Sequence, residues 1–323
     1  MSALLERLGV ELPVVQAGMG GGLSRHELAA AVSDAGGLGT IGILPPEALR
    51  REMGAARGRT GRPIAVNLLL PFARRAHWDA AAEADVVVTF WGRPRRRVRG
   101  TWIHQCGSVE EALAARAAGA DGVIAQGVEA GGHVRGTVPA LALLERVRAA
   151  VGRDYPVFVA GGLADAGDVR AALDAGADAA VLGTRFLMTD ESRALRSYKQ
   201  RLMESRETVL TELFGAGWPR APHRVIWNEA TERWLGSGDR RGPAWVRALH
   251  VAVSPALAPV PLSWQDRVAR LQRADRPLLG PVAPTVGGPR NLLDAGPLYA
   301  GESVARIHDI RAAGELVVEL AGG

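Results

Sequence analysis

The sequence predicts an α/β protein: a TIM (β/α)8 barrel carrying a smaller, mainly helical or irregular capping domain. Three observations carry that prediction. Eight short apolar runs alternate with helical patterns over about the first 200 of 323 residues, the size of such a barrel. Several of these runs close on glycine or on an amide side chain, as strands do where a ligand gathers. After Met203 the alternation stops, and Pro, Gly, Trp and Arg dominate to about residue 300. A doubly wound sheet is the alternative; it needs fewer strands and a switch in strand order.

Leu12–Ala17 reads as the first strand and Gly18–Gly22 as a flexible loop. Ser24, with Glu27 three residues on, reads as the N-cap and capping box of a helix that runs to Ala35 and ends at Gly36-Gly37. Leu38–Gly42 is the second strand and Pro45–Ala56 its helix; Pro63–Asn67 is the third, with a short Ala-rich helix near Ala76–Glu83. Asp85–Thr89 is the fourth strand, and the helix after it has room only for a short piece around Pro94. Thr101–Gln105 is the fifth, followed by a helix capped by Ser108 and closed at Gly119. Asp121–Ala125, Pro156–Ala160 and Asp178–Leu182 complete the eight, with helices at Val138–Val151 and Asp165–Ala175. Ala117–Val123 and Asp174–Ala180 repeat one pattern, a helix end, a glycine and a strand entry, which is the recurring αβ junction of a barrel. Within residues 204–300 the clearest helical piece is Ser263–Arg273. Gly301–Leu320 is amphipathic and reads as a final helix returning to the barrel. The division is therefore 1–203 with 301–323 as barrel, and 204–300 as cap.

Hydrophobic residues make up 47% of the chain, enough for a large core. No apolar run is long enough to span a bilayer, and residues 1–7 lack the regions of a signal peptide. The single cysteine, Cys106, excludes an internal disulfide framework and fits a reducing cytoplasm; it reads as a buried small hydrophobe rather than a loop nucleophile. No Cys/His cluster has zinc spacing, so no metal is expected. The net charge of +5 is almost all arginine, since Lys199 is the only lysine. Its densest run, Arg93–Arg99, has no interleaved aromatics and reads as a solvated loop, with no nucleic-acid partner.

The chemistry lies at the strand ends. Gln126-Gly127-Val128-Glu129-Ala130-Gly131-Gly132-His133 follows the sixth strand and puts an amide, a carboxylate, two adjacent glycines and an imidazole into one loop. Gly131 and Gly132 allow a backbone to approach a flat ligand, and His133 can take a proton near its ordinary pKa of about 6.5. Asn67 and Gln126 each offer a donor and an acceptor on one plane, which suits the polar edge of a flavin or nucleobase. Gly161-Gly162 and Gly183-Thr184 follow the seventh and eighth strands, the usual phosphate position of this fold. Met188 reads as core.

Taken together, Gln16-Ala17-Gly18-Met19, Ala65-Val66-Asn67-Leu68, the Gln126–His133 stretch, Ala160-Gly161-Gly162-Leu163 and Leu182-Gly183-Thr184-Arg185-Phe186 resemble the motif set of the nitronate monooxygenase family, formerly called 2-nitropropane dioxygenases. Glu191-Ser192, Lys199 and Tyr299–Ser303 are similar too. The resemblance implies a metal-free, FMN-bearing barrel that oxidises nitronates with O2 to a carbonyl compound and nitrite. It implies that His133 acts as base on a neutral nitroalkane or stabilises the nitronate anion. Gly18, Met19, Asn67, Gln126, Gly131, Gly132, Ala160, Gly161, Gly162, Gly183 and Thr184 fall on cofactor-binding positions. The partners implied are the nitro or nitronate substrate and O2, and a homodimer stays open. Many relatives carry proline where this chain has Gly18. Two alternatives remain on the same barrel: an NAD(P)H-dependent FMN reductase of the enoyl-acyl-carrier-protein or quinone type, and a non-redox barrel binding a phosphorylated ligand.

Overall fold

The computed structural model describes residues 2–236, 238–257, 260 and 264–322. Eight parallel strands form the barrel: β1 (Val14–Gln16), β2 (Gly39–Ile41), β3 (Ile64–Leu69), β4 (Val86–Phe90), β5 (Thr101–Cys106), β6 (Gly122–Gln126), β8 (Val157–Ala160) and β9 (Ala179–Leu182). From β2 to β9 each pairs with its sequence neighbour among these eight, β9 pairs with β1, and β1 meets the β2 side only through a bridge between Val15 and Leu38. The seam between β1 and β2 is thin. Gln16 N donates to Leu38 O and Leu38 N to Val14 O, both at 3.0 Å. The Gln16 side-chain oxygen then accepts Thr40 N–H at 2.8 Å, extending the ladder where the backbone pairing stops.

Period-two alternation sorts the strand residues. Val15, Ala65, Val86, Val88, Ile103, Ile124, Phe158, Ala179 and Val181 pack together in the barrel interior. Their neighbours Ile64, Val66 and Val87, and Val123, Val157, Val159 and Ala180, pack in the clusters that include the surrounding helices. A helix the sequence reading did not anticipate, Ala3–Leu8, adds Leu4 and Leu5 to the interior cluster. Burying a leucine stabilises by roughly 1.5–3 kcal/mol.

The recurring αβ junction has a chemical basis. Asp85, Asp121 and Asp178 each stand at the entry to a strand, and each carboxylate accepts a backbone N–H from the preceding barrel strand: Ile64 at 2.7 Å, Trp102 at 2.8 Å and Val157 at 2.7 Å. Each also meets an arginine: Arg57 at 2.6 Å, Arg96 at 3.3 Å and Arg148 at 2.7 Å. Three arginines are thus used where the strands begin, at the end of the barrel that conveys stability.

Several expectations change. Ser24 is not a helix cap: the helix is His26–Asp34, its N-cap is Arg25, and no side chain caps it. The Ser24 hydroxyl instead accepts from Met19 N at 2.9 Å and donates to Met19 O at 3.2 Å, pinning the glycine loop that was expected to be flexible. No helix forms around Pro94; residues 92–100 run irregularly between β4 and β5, with Pro94 buried and Arg93, Arg95 and Arg99 exposed. Arg96 is tied to the Gly119 and Gly100 carbonyls, and Arg97 lies 5.6 Å from the Trp78 ring centre. The final segment splits into a 3-10 turn, Glu302–Arg306, and a helix, Ala313–Leu320, because Ile307–Ala312 lies irregular between them. The helical piece in 204–300 shortens to Gln265–Ala269, and the start of its expected range, Ser263, falls outside the described residues. Longer helices there are Glu229–Leu235 and Ala244–Leu257. Among the described residues no helix is long and apolar enough to cross a membrane.

A second, antiparallel sheet joins β10 (Val209–Thr211), β11 (His223–Val225) and β7 (Gly132–His133), with His223 opposite His133. The loop after β6 is thereby stitched to the 204–300 segment.

Replacing Asp178 with alanine would leave the Val157 N–H without its acceptor and the mostly buried Arg148 without its counter-charge, held only by backbone carbonyls. A loss of roughly 2–3 kcal/mol in urea unfolding is expected, without a change in ligand binding. A loss below about 0.5 kcal/mol would remove the junction carboxylate from the determinants of stability.

Candidate active site

A cavity of about 410 Å³ opens over the C-terminal ends of the strands, within the range of small-molecule sites. Every residue singled out from the sequence lines it: Gly18, Met19, Asn67, Gln126, Gly131, Gly132, His133, Ala160, Gly161, Gly162, Gly183 and Thr184. They come from the ends of five strands and are far apart in the chain.

Their local roles differ. Gly161 (φ 121°) and Gly162 (φ 76°) turn the chain after β8 through backbone angles that side chains disfavour. Among the described residues, the N–H groups of Gly161, Gly162, Leu163, Gly183 and Thr184 donate to no backbone carbonyl. The Thr184 hydroxyl accepts Gly301 N–H at 2.9 Å, so its own proton is free to donate. Arg306 draws the Gly162 carbonyl away at 2.8 Å. The result is a cluster of unspent donors suited to an anion such as phosphate. A Cβ on Gly183 would meet only Ala17, at 3.8 Å, so this position is open.

Gly131 serves packing: a Cβ there would lie 2.4 Å from Gly301 N and 2.6 Å from Ala300 C. Gly18 likewise has no room, since its Cβ would lie 2.4 Å from that of Asn67. Gln126 uses its amide on the loop itself. Nε2 donates to His133 O and Oε1 accepts from Arg135 N, both at 2.9 Å, leaving one N–H for the cavity. Asn67 makes only a long contact, Nδ2 to Val88 O at 3.5 Å, and keeps most of its capacity.

His133 sits in an aromatic enclosure. Trp218 stacks on it with ring centres 3.8 Å apart at 25°. His223, Tyr299 and Trp91 stand 5.3, 5.7 and 6.0 Å away. Its Nε2 is out of reach of solvent and has no hydrogen-bond partner. Burial first, and the neighbouring His223 second, hold its pKa well below 6.5. His223 is itself lowered to about 4, chiefly by burial. Its Nε2 accepts Phe214 N–H at 3.2 Å and its Nδ1 donates to Ala221 O at 2.9 Å, an arrangement that fits the neutral ring. His133 is therefore a neutral proton acceptor at pH 7, not the half-titrated group expected from its ordinary pKa.

Sequence reasoning missed Trp218, Gln105 and Arg25, which also line the cavity; Ser303, at the end of the Tyr299–Ser303 motif, lines it too. Trp218 had only one cue, the tryptophan-rich composition after residue 203; which tryptophan would cover His133 depends on the β7–β11 pairing. Trp91 holds a left-handed φ of 65°, rare for a bulky residue, beside the same ring. Cys106 lies buried, its thiol pushed up to about 12 by burial, and does not line the cavity. Met188 is core. Glu191 accepts Ala313 N–H, and Lys199 donates to the Thr189 and Ser192 carbonyls, so these motif residues act as scaffold. His26, Glu27 and Glu52 bring ligand-type atoms within 4.8 Å of one another. Arg25 and Arg193, at 3.5 and 3.4 Å from Glu52 and Glu27, supply positive charge there.

The family model described as nitronate monooxygenase matches residues 1–98 and 95–323. A nitronate monooxygenase of Pseudomonas aeruginosa is 35% identical, over 69% of this chain and 80% of that protein. A (3aS,4S,5R,7aS)-5-hydroxy-7a-methyl-1-oxo-octahydro-1H-indene-4-carboxyl-CoA dehydrogenase of Mycobacterium tuberculosis is 31% identical, over 73% and 69%. Among solved structures, FabK from Thermotoga maritima superposes with a TM-score of 0.78 at 29% identity, over 100% of this chain and 95% of that one. A nitroalkane oxidase from Streptomyces ansochromogenes gives 0.75 at 32%, over 99% and 97%.

If Trp218 keeps His133 dry, Trp218→Ala should raise the His133 pKa toward 6.5, read from the imidazole proton shifts in an NMR pH titration. An unmoved titration would mean that the desolvation comes from elsewhere in the enclosure.

Proposed function

The chain belongs to the nitronate monooxygenase family and is a nitronate monooxygenase-like flavin oxidoreductase, and on that premise we propose that it binds FMN and oxidises alkyl nitronates with O2 to a carbonyl compound and nitrite. The observation that carries this reading is one cavity lined both by a neutral imidazole whose Nε2 is closed to water and by a cluster of unspent backbone donors.

FMN fits the residues present. The donors of Gly161, Gly162, Leu163, Gly183 and Thr184 would hold its phosphate. Asn67 and the remaining Gln126 N–H would meet the polar edge of its ring, with Gly18, Met19, Ala160 and Gly132 lining the approach. When bound, the flavin supplies electron acceptance and the reaction with oxygen.

The chain's residues supply the rest. Neutral His133 accepts the α-proton of a nitroalkane at a ring nitrogen; the imidazolium so formed faces the developing nitronate and stabilises it. The lowered pKa of His133 disfavours the charged ring until that anion forms beside it, which couples proton transfer to anion formation. Trp218 and Tyr299 exclude water from the ring. Residues 204–300 contribute Trp218, Pro281, Val282, Ala283 and Tyr299 to the cavity, which supports reading them as a substrate-side cap on a barrel of 1–203 and 301–323. A cytoplasmic location belongs to the same reading, on the strength of the lone buried thiol of Cys106.

Two measurements test the proposal. Gly183→Val should fold, because its Cβ has space, yet lose bound FMN in the visible spectrum of the purified protein. Full flavin retention would displace the phosphate assignment. In oxygen-consumption assays, His133→Asn should lose on the order of a hundred- to ten-thousand-fold in kcat/KM on neutral nitroalkanes, and less on preformed nitronates, which need no base. With His133 lowered, its basic form already predominates at pH 6.5, so wild-type kcat/KM on a neutral substrate should be level above that pH and fall only below it. Anaerobic bleaching of the flavin by NADH or NADPH, but not by nitronate, would replace this function with the reductase reading. A colourless protein that cannot be reconstituted with FMN would leave a non-redox barrel.

A further inference from the structure

Trp91 holds its left-handed φ of 65° just after β4, and Gly92 follows at φ 124°. A bulky residue keeps such a backbone only where its surroundings over-determine it. Two sets of contacts do so here. The Arg135 guanidinium lies 5.0 Å from the centre of the Trp91 ring, within the range of a cation–π contact. The Trp91 centre is also 5.1 Å from that of Trp218 and 6.0 Å from that of His133, with its plane at 75° and 82° to theirs. Because Trp218 and His133 stand only 3.8 Å apart, these distances put Trp91 at the side of the stack, not on its outer face. It braces the two stacked rings together.

Arg135 is itself fixed at both ends. Its backbone N–H donates to Gln126 Oε1 at 2.9 Å, and its guanidinium pairs with Glu111 on the helix Val109–Ala117. Glu111 in turn accepts Gly107 N–H at 2.8 Å. A Cβ on Gly107 would lie 2.3 Å from Arg135 C, so the loops after β5 and β7 are in direct contact. Arg135 and Trp91 do not line the barrel cavity.

We propose that Arg135 is a positioning residue for His133: held by Glu111, it fixes Trp91 against the Trp218–His133 stack and so keeps water from the imidazole. The inference rests on the reading of His133 as the base, and adds a residue that acts on it through two others. The titratable side chains that face the ring are His223 on β11 and Tyr299, whose hydroxyl donates to Pro281 O at 2.9 Å. Arg224, opposite Gly132 on β11, is turned to Val128 O and Glu302. The Arg135 charge counts at the buried His104, which burial first and Arg135 second lower to about 4. At His133, burial and His223 account for the lowering. Arg135 therefore acts on His133 by packing.

An NMR pH titration of the purified protein with labelled histidine tests this, the His133 signal being assigned by its loss in His133→Asn. Arg135→Ala and Glu111→Ala should each raise the His133 midpoint toward 6.5, by about one pH unit or more. Glu111→Ala separates packing from charge: removing an anion would by electrostatics alone lower the midpoint, whereas releasing the clamp raises it. In a Trp91→Ala background, whose own midpoint is raised, Arg135→Ala should add nothing. The titration reads the ring without turnover, so a protein inactive on nitronates would count against the proposed function and not against the clamp. On neutral nitroalkanes, the acid limb of kcat/KM should move up in pH with the NMR midpoint. An unmoved midpoint in Arg135→Ala, a lowered one in Glu111→Ala, or a full Arg135→Ala effect without Trp91 would overturn the proposal. If Arg135→Ala does not fold, Glu111→Ala decides, because it leaves the arginine in place.

Discussion

The amide of Gln126 is the constraint on which the site depends. It stands at the end of β6 and grips the chain twice, at the His133 carbonyl and the Arg135 N–H. Each bond contributes only about 0.5–1.5 kcal/mol. Their effect is geometric, because the loop between contains Gly131 and Gly132, which lose more conformational freedom on ordering than other residues. With the loop fixed, Gly132–His133 can pair with β11, and β11 with β10. The register of that sheet brings His223 and Trp218 beside the imidazole. An amide expected to face a cofactor therefore also decides where the second half of the chain meets the first.

The enclosure has an electrostatic consequence. A histidine in water is close to half protonated near pH 6.5. Stacked against Trp218 and facing a neutral His223, His133 lacks the hydration that would stabilise a charge. This makes it a weaker base, but one that is uncharged and available at neutral pH. Charge appears on the ring only when an anion forms beside it, where a dry surrounding strengthens their attraction.

Arginine content misleads when it is read as a property of the whole surface. The +5 charge suggests an anionic partner until the residues are placed. Arg57, Arg96 and Arg148 are occupied at the strand entries, where each meets an aspartate that also holds a neighbouring strand. The run at Arg93–Arg99 does not line the barrel cavity.

The barrel was legible from the sequence because its strands obey a local rule: side chains alternate faces with period two, and eight such runs with helices between them leave few topologies. The glycines after β8 and β9, Asn67, Gln126 and His133 were legible for the same reason, since a strand end fixes which residues reach the mouth. Ser24 was misread because a Ser-x-x-Glu pattern meets the local criterion for a cap, while the hydroxyl's partner, Met19, belongs to the preceding loop. The absent helix after β4 and the plug Ala3–Leu8 were invisible because neither follows from the strand–helix alternation. Only the tertiary structure put Trp218 on His133 and left Gln126 with one free N–H, because each depends on contacts between residues distant in the chain, and local pattern carries no information about those.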